Sequence, residues 1–337
     1  MHPHALVRRC MRHGRAYTHK LTIMKLSIMA VIAIAFITYT TACQRKAAAQ
    51  STGNSTSNTS PTMANLEYKD ANGNLNLLGA TSRDRLAQAP FDTWYNKSYA
   101  DYSIDSATAN KLKPLLKNKQ FVIFMGTWCG DSRREVPRMY KLLDYCGVKP
   151  SQIKLVNVNN HDSAYKQSPA HEERGLYIFR VPDLLVFDRD KEVGRIVESP
   201  LTTLEKDLLA IAEGKNYSPK YPGTAYLINQ FQTPGWMSTP AAHEQVAEQL
   251  RPLIGQWGEL ASFGRVMLIA GETDRAIDAM RINTILYPAE AGAWQYLATA
   301  YVKKANKPAA KDCCQKVLQL QPGNQQAIAL LDQLNRE

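Results

Sequence analysis

Acidic residues are missing from the first 42 positions of this chain, although those positions carry six arginines and lysines. The whole chain of 337 residues has a formal charge of +11, so the part after position 42 keeps only +5 once those six positive charges are removed. A small surplus spread over a long chain is typical of an ordinary soluble surface and not of a surface that binds a polyanion. We therefore expect no nucleic-acid partner.

Cysteine is also scarce. The chain has six, which are Cys10, Cys43, Cys129, Cys146, Cys313 and Cys314. The last four form an even set, which permits disulfides, but their surroundings do not indicate a disulfide framework. We expect free thiols, with a vicinal disulfide between Cys313 and Cys314 as the alternative, and we interpret Cys146 as a buried structural cysteine.

Metal-ligand patterns are lacking as well. A polar segment contains His161, His171 and Glu172, but their spacing does not match that of a metal site. We interpret this segment as a solvated loop and predict no metal and no other cofactor.

A long apolar run from Leu26 to Thr38 follows the basic residue Lys25. A basic start and an apolar run of this length are typical of a signal peptide, which we assign to residues 24–42. Residues 1–23 are then interpreted as an over-extended start.

The signal peptide ends in small residues, Thr40, Thr41 and Ala42, directly before Cys43. This pattern resembles a bacterial lipobox, which implies that Cys43 is lipidated and anchors the protein to the membrane. An uncleaved anchor and plain secretion are the alternatives. We expect a lipid-anchored, periplasmic protein of the cell envelope, in a compartment where disulfides persist.

Residues 43–65 have almost no apolar content, and such a segment is too polar to bury a core. We interpret them as a disordered tether. Residues 66–105 are then predicted to form a helical extension, because aromatic side chains recur there at spacings of three and four. These side chains belong to Phe91, Trp94, Tyr95, Tyr99 and Tyr102.

Residues 106–214 alternate between predicted helices and strands, as an α/β domain does. The strands are predicted at 121–125, 153–158, 184–187 and 193–197, and the helices at 106–117, 132–143 and 201–213. Thr202 and Glu205 are spaced as a capping box for the last helix, and Gly214 follows its end.

The most informative segment is Trp128-Cys129-Gly130-Asp131-Ser132, which joins the first of these strands to a helix. A thiol at a helix N-terminus lies close to unpaired backbone N–H groups, which favour its thiolate form together with the helix dipole. The carboxylate of Asp131 disfavours a second negative charge, whereas Arg133 and Arg134 favour it. The balance of these effects stays open at this point.

Three spaced features of residues 106–214 resemble thioredoxins. They are Trp128-Cys129 at the strand-to-helix junction, Pro137 eight residues after the cysteine, and Val181-Pro182 before a hairpin. More narrowly, residues 126–137 and 194–200 resemble a group of bacterial secreted thioredoxin-like proteins with a WCGDS monothiol motif. The resemblance implies a thioredoxin fold, a cis bond before Pro182 and a catalytic role for Cys129 and Ser132. It also implies that a protein client binds at Trp128, Gly130, Asp131, Val181 and Pro182.

Three departures from that family change the expected chemistry. Ser132 replaces the second cysteine of Cys-x-x-Cys, so it can hydrogen-bond the sulfur of Cys129 but cannot resolve a mixed disulfide. Ile123 replaces the buried acid of the family, and Asp183 replaces the threonine after the cis-proline, which puts a carboxylate near Cys129. These departures fit monothiol exchange, disulfide holding or a binding role.

Residues 215–240 contain four prolines and several aromatic residues, which indicate a linker that packs against a neighbour. In residues 241–337 a repeat then follows, since Pro288 and Pro322 are 34 residues apart. One repeat carries Trp294, Leu297, Ala298 and Tyr301. This pattern resembles tetratricopeptide repeats. We predict two such repeats between flanking helices, with a possible partner protein on their surface.

Two functions are therefore weighed. In the first, a membrane-tethered periplasmic protein uses the single thiol of Cys129 for thiol–disulfide exchange with protein clients, or captures them as mixed disulfides. In the second, the protein is a redox-inactive adaptor or chaperone-like binding protein of the cell envelope, and the repeats form its main binding surface.

Overall fold

The structure is a computed structural model, and it describes residues 65–336. The predicted signal peptide, the lipidation site at Cys43 and nearly all of the tether lie outside the described residues, so these assignments stay predictions. Within residues 65–336, no helix combines the length and the apolar character that crossing a membrane requires.

The first part of the described chain contains a six-stranded mixed sheet. Its strands are β1 (Leu66–Lys69), β2 (Leu75–Thr81), β3 (Lys119–Met125), β4 (Ile153–Asn157), β5 (Asp183–Asp188) and β6 (Lys191–Val197). Their order in space is β1-β2-β4-β3-β5-β6. Strands β3 and β4 run parallel, and the other neighbouring pairs are antiparallel. The predicted α/β character of this part is confirmed.

Both faces of the sheet are buried, and β3 shows why, since successive residues of a strand face opposite sides. Phe121, Ile123 and Met125 pack into the main core, whereas Phe124 packs into a smaller cluster on the other face. Helices cover the main core. They are α1 (Arg83–Leu86), α2 (Asp92–Asp101), α3 (Ser106–Leu116), α4 (Gly130–Tyr145) and α5 (Leu204–Ala212). The smaller cluster is covered by the segment between β4 and β5 and is contacted by Cys129.

The prediction of a helical extension over residues 66–105 is wrong for its first part. Residues 66–81 form the β1–β2 hairpin, and β2 pairs with β4 as a strand of the sheet. The buried hydroxyl of Thr127 holds this hairpin in place, because it accepts the backbone N–H of Leu77 at 3.0 Å. The aromatic spacing that predicted a helix belongs only to the later part of the segment, where α2 forms.

The predicted capping box of α5 is also wrong. Thr203 is the N-cap, and its side chain accepts the backbone N–H of Lys206. Thr202 instead donates its hydroxyl to Asp207 at 2.5 Å, and the buried carboxylate of Glu205 accepts the hydroxyl of Tyr102 at 2.9 Å. The helix therefore begins at Leu204, later than the sequence predicted.

The second part of the described chain is helical. Its helices are α6 (Pro222–Gln232), α7 (Pro240–Leu250), α8 (Gly258–Ile269), α9 (Thr273–Leu286), α10 (Ala291–Lys303), α11 (Lys307–Leu320) and α12 (Gln325–Arg336). The region predicted as a linker thus contains α6, whose Leu227 and Phe231 are buried. They share a hydrophobic cluster with Phe179, Val197 and Phe263, so α8 packs against the part of the chain that carries the sheet.

Candidate active site around Cys129

Cys129 is the N-cap residue of α4, directly after the chain leaves the sheet. Its backbone N–H donates to the carbonyl of Gly126 at 2.9 Å, which closes a turn between β3 and α4. The half-buried thiol donates to the backbone carbonyl of Val181 at 3.3 Å. The Val181–Pro182 bond is cis, as expected. The structure therefore brings together two predicted site segments that are far apart in sequence.

Trp128 forms one wall of the site. Its indole N–H donates to the carbonyl of Val158 at 2.9 Å, and its ring lies against Gly126. A Cβ atom at Gly126 would lie 2.3 Å from the ring atom Cε2, so only glycine leaves room for the indole. The ring position is thus set by a hydrogen bond on one side and by the lack of a side chain on the other.

Ser132 is buried, and its hydroxyl oxygen has a hydrogen-bond partner other than the Cys129 thiol. Its Oγ accepts the backbone N–H of Gly126 at 3.3 Å, whereas the partner of the Cys129 thiol is the Val181 carbonyl. The predicted Ser132–sulfur hydrogen bond is therefore replaced by a bond that joins α4 to the end of β3.

The other thiols of the described residues lie in hydrophobic clusters that do not include Cys129. Burial raises the pKa of Cys146 to about 11 and that of Cys313 to about 12, and it also raises the pKa of Cys314. All four described cysteines are free. Within residues 65–336, Cys129 is thus the thiol with the surroundings of a nucleophile.

Gly130 and Asp131 begin α4 at its exposed side. Asp131 forms a salt bridge with Arg134 at 2.7 Å, so its negative charge has a cationic partner within the same helix. Arg133 turns away from that pair and donates from Nε to the carbonyl of Thr127 at 2.5 Å. The sequence left open how far Asp131 disfavours a thiolate at Cys129. In the structure Arg134 offsets the negative charge of Asp131.

Val181 and Pro182 are both buried, and their carbonyls already have partners. The Val181 carbonyl accepts the Cys129 thiol, and the Pro182 carbonyl accepts the backbone N–H of Glu198 at 2.7 Å. A carbonyl oxygen can accept two hydrogen bonds, so the Val181 carbonyl can still accept a second donor beside the thiol.

Asp183 is completely buried, and its carboxylate pairs with Arg195 at 3.1 Å. Arg195 also binds both carboxylate oxygens of Glu192, at 2.6 and 2.7 Å, so one guanidinium serves two acids. Burial raises the pKa of Asp183 to about 7, and the negative charge of Glu192 acts in the same direction, although Arg195 acts to lower it. The carboxylate of Asp183 is held by its ion pair with Arg195 on β6. Its proximity to Cys129 stays a prediction.

Lys166 was missed by the sequence interpretation. This buried residue lies in the segment between β4 and β5, and its Nζ is 4.3 Å from the centroid of the Trp128 ring and 4.9 Å from that of Tyr165. Negative charge on Cys129 raises the pKa of Lys166. A lysine in a polar segment carries no sequence signal for such a position.

Arg180 and Glu198 complete the charged surroundings of Lys166, and both act on it electrostatically. They approach each other to 3.9 Å, and Glu198 accepts the hydroxyl of Tyr221 at 2.5 Å. Glu198 belongs to residues 194–200, which resemble the secreted thioredoxin-like proteins but for which the sequence predicts no role. That motif was the available signal.

Metal ligation has no support in the part of the chain that the structure describes, where no group of three His, Cys, Asp or Glu side chains could hold an ion. His171 pairs through Nδ1 with Glu173 at 3.2 Å, and Glu172 accepts the hydroxyl of Ser168 at 2.6 Å. These side chains are used to fold the segment between β4 and β5.

Comparison with known proteins adds little. No protein-family model matches the chain, and no curated protein matches it at a significant level. Among solved structures, a protein of unknown function from Pseudomonas aeruginosa is 16% identical, with a TM-score of 0.32. The match covers 40% of this chain and 93% of that one.

Proposed function

We propose that the protein carries out thiol–disulfide exchange with protein clients through the single thiol of Cys129. The observation that carries this proposal is the position of that thiol at the N-terminus of α4, half-buried between Trp128 and the Val181 carbonyl. Unpaired N–H groups at a helix start stabilise a thiolate. A thioredoxin-like fold for residues 106–214 and tetratricopeptide repeats in residues 241–337 are part of the proposal, as is a lipid anchor on Cys43 in the periplasm.

The chemistry needs one thiol in the protein and one outside it. The Cys129 thiolate attacks one sulfur of a client disulfide, a new S–S bond forms, and the second client sulfur leaves with the electron pair of the broken bond and takes a proton from solvent. A free thiol of another molecule, as its thiolate, then attacks the client sulfur of the mixed disulfide and releases Cys129. Ser132 cannot perform that second step, because a hydroxyl is no substitute for a thiol.

The test uses a small disulfide, such as glutathione disulfide, and peptide mapping by mass spectrometry under native conditions. We expect a mixed disulfide on Cys129 at neutral pH, while Cys146, Cys313 and Cys314 stay unmodified because burial raises their pKa values. The variant C129A should form no adduct at position 129 or at the three buried cysteines. An adduct that fails to form on Cys129, or that forms equally on the buried thiols, contradicts the proposal.

The variant S132C sharpens this test, since it restores Cys-x-x-Cys. We expect it to release the small thiol and to form an internal disulfide, whereas the natural chain keeps the mixed disulfide until an outside thiol is added. The matched control is S103C, which adds an exposed cysteine between α2 and α3, outside the candidate site, and should leave the mixed disulfide on Cys129 intact.

A second candidate function is the redox-inactive adaptor, and one observation favours it. The helical part contains a cavity of about 340 Å³, which is lined by side chains from α7, α9, α10 and α11. Among them are Arg281, Trp294, Leu297 and Tyr301. If C129A binds clients as tightly as the natural chain while no mixed disulfide forms in either, this second function is the correct one.

A further inference from the structure

Lys166 is a buried cation beside the candidate active site. The residue is 4% exposed, and its backbone lies in the left-handed region with φ of 61°. Non-glycine residues are uncommon in that region. Its backbone N–H donates to the carbonyl of Asn159 at 2.8 Å, which fixes this turn of the segment between β4 and β5. The side chain of Lys166 is therefore buried although its backbone has a conformation that is unfavourable for a non-glycine residue.

The surroundings of the Lys166 ammonium are aromatic and charged. Its Nζ lies over the rings of Trp128 and Tyr165, and cation–π contacts of this kind offset part of the cost of burial. Within residues 65–336, Lys166 forms no salt bridge. The charged groups that act on it are Cys129, Glu198, Arg180 and Arg265.

Among these four groups, Glu198 and the thiolate form of Cys129 are the two that can carry negative charge, and the thiol form of Cys129 donates to the Val181 carbonyl. Arg180 and Arg265 repel the ammonium, and Glu198 is already engaged by Arg180 and by the hydroxyl of Tyr221. Burial lowers the pKa of Lys166 to about 8, while negative charge on Cys129 raises it again. An ammonium that is largely withdrawn from water gains from a negative charge nearby, and a thiolate formed next to Trp128 supplies one.

We propose that Lys166 is the counter-ion that stabilises the Cys129 thiolate. This inference rests on the proposed role of Cys129 as nucleophile. When the Cys129 proton passes to solvent, the sulfur becomes negative and pairs with the ammonium in a partly desolvated setting, where the attraction is stronger than in water. After the new S–S bond forms, the Cys129 sulfur is neutral and this attraction is lost.

The helical part of the protein helps to hold this lysine. The guanidinium of Arg265 on α8 lies 4.4 Å from the centroid of the Tyr165 ring and donates to Asp162 at 2.7 Å. Asp162 and Tyr165 belong to the same short segment as Lys166. Helix α8 therefore holds the turn that carries Lys166, so part of the support for this lysine comes from outside the sheet.

The experiment measures the rate at which iodoacetamide alkylates Cys129 in the full chain at pH 7, followed on the peptide that contains Cys129. The variant K166M removes the charge and keeps an apolar side chain of similar length among the aromatic rings, so it should fold. We expect the rate to fall about tenfold, which corresponds to the loss of about 1.4 kcal/mol of thiolate stabilisation. The control K191M removes an exposed lysine and should keep the natural rate.

Two readouts separate a charge effect from a packing effect. The variant K166R restores a cation and should recover most of the natural rate. Iodoacetate is anionic, and the ammonium of Lys166 also attracts this reagent. The substitution K166M should therefore lower the rate of alkylation by iodoacetate more than the rate of alkylation by iodoacetamide. A natural rate in K166M overturns the inference and leaves the proposed function standing. Slow alkylation of Cys129 in the natural chain, no faster than that of Cys146, overturns the proposed function itself.

Discussion

At the scale of single residues, the candidate site consists of charges that the fold has removed from water. Lys166 is buried against the Trp128 ring, and Asp183 is buried beside Arg195. The two differ in their partners. Asp183 shares one guanidinium with Glu192, and its Oδ1 has no hydrogen-bond partner within the described residues. This carboxylate is therefore held in place at a cost in free energy that depends on pH.

We expect Asp183 to make the protein less stable as the pH rises from about 4 to about 7. Burial raises the pKa of Asp183 to about 7 in the folded chain, so over this range the folded state keeps a proton that the unfolded state has lost. Each unit of pH then lowers the free energy of unfolding by up to about 1.4 kcal/mol. The variant D183N should lose this component of the pH dependence, as measured by urea unfolding.

The matched control for this measurement is D188N on the same strand. The side chain of Asp188 is largely exposed, and its hydrogen bond with Lys119 lowers its pKa, so its stabilising contribution is lost mainly below about pH 4 and changes little across most of this window. D188N should keep the decline of the natural chain between pH 4 and 7. Parallel pH profiles for D183N and the natural chain would contradict the assignment.

At the scale of elements, the junction between β3 and α4 places the thiol. The strand ends at Met125, the chain turns at Gly126, and α4 begins at Gly130. Ser132 ties the first turn of the helix back to the end of the strand through the Gly126 N–H. Helix α4 continues through Pro137 to Tyr145, so the proline does not interrupt it.

The variant G126A tests this junction. Its Cβ would lie 2.3 Å from the Trp128 ring, so the indole must move away from Val158 and from Lys166. We expect the free energy of unfolding to fall by about 1–3 kcal/mol, as is usual for overpacking, together with a change in near-ultraviolet circular dichroism.

The variant G130A is the control, since a Cβ at Gly130 meets no atom within 4 Å. We expect its free energy of unfolding to stay within about 0.5 kcal/mol of the natural value. Equal stability of G126A and G130A would show that the indole does not lie where the structure has it.

At the scale of the whole molecule, the sheet and the helical part share one hydrophobic cluster. Phe263 on α8 makes an edge-to-face contact with Phe179, with ring centroids 5.8 Å apart, and stacks on Phe231 at 6.3 Å. Tyr177 contacts the same ring at 6.2 Å. Because Phe179 and Tyr177 precede β5, and Phe231 belongs to the helical part, this ring joins the two parts.

We expect F263A to lower the free energy of unfolding by about 3–5 kcal/mol, because it leaves a cavity where the two parts meet. Circular dichroism and tryptophan fluorescence should show a single transition for the natural chain and separate transitions for F263A. The control L201A removes an exposed side chain and should change the free energy by less than about 0.5 kcal/mol. A coincident, unshifted transition in F263A would contradict the shared cluster.

Several strands and helices followed from local sequence. The strands predicted at 121–125, 153–158, 184–187 and 193–197 are all present within two residues of their predicted ends. Those at 121–125 and 184–187 are short apolar runs bounded by polar residues. The hairpin at 66–81 was missed because aromatic spacing farther along the segment was extended to it. The sequence does not predict helix α6, because the four prolines of residues 215–240 indicate a linker. Pro222 nevertheless lies in the first turn of this helix, where proline is tolerated.

The sequence by itself determined that Cys129 lies at a helix N-terminus without a resolving cysteine, since both facts depend on neighbouring residues. Tertiary structure alone decided which charges surround that thiol. Lys166, Glu198 and Arg265 come from three separate segments, and Glu198 and Arg265 act electrostatically on Lys166, whose ammonium lies over the Trp128 ring next to Cys129. Packing over long sequence separations leaves no local pattern, because any apolar partner of suitable shape could satisfy each residue taken alone.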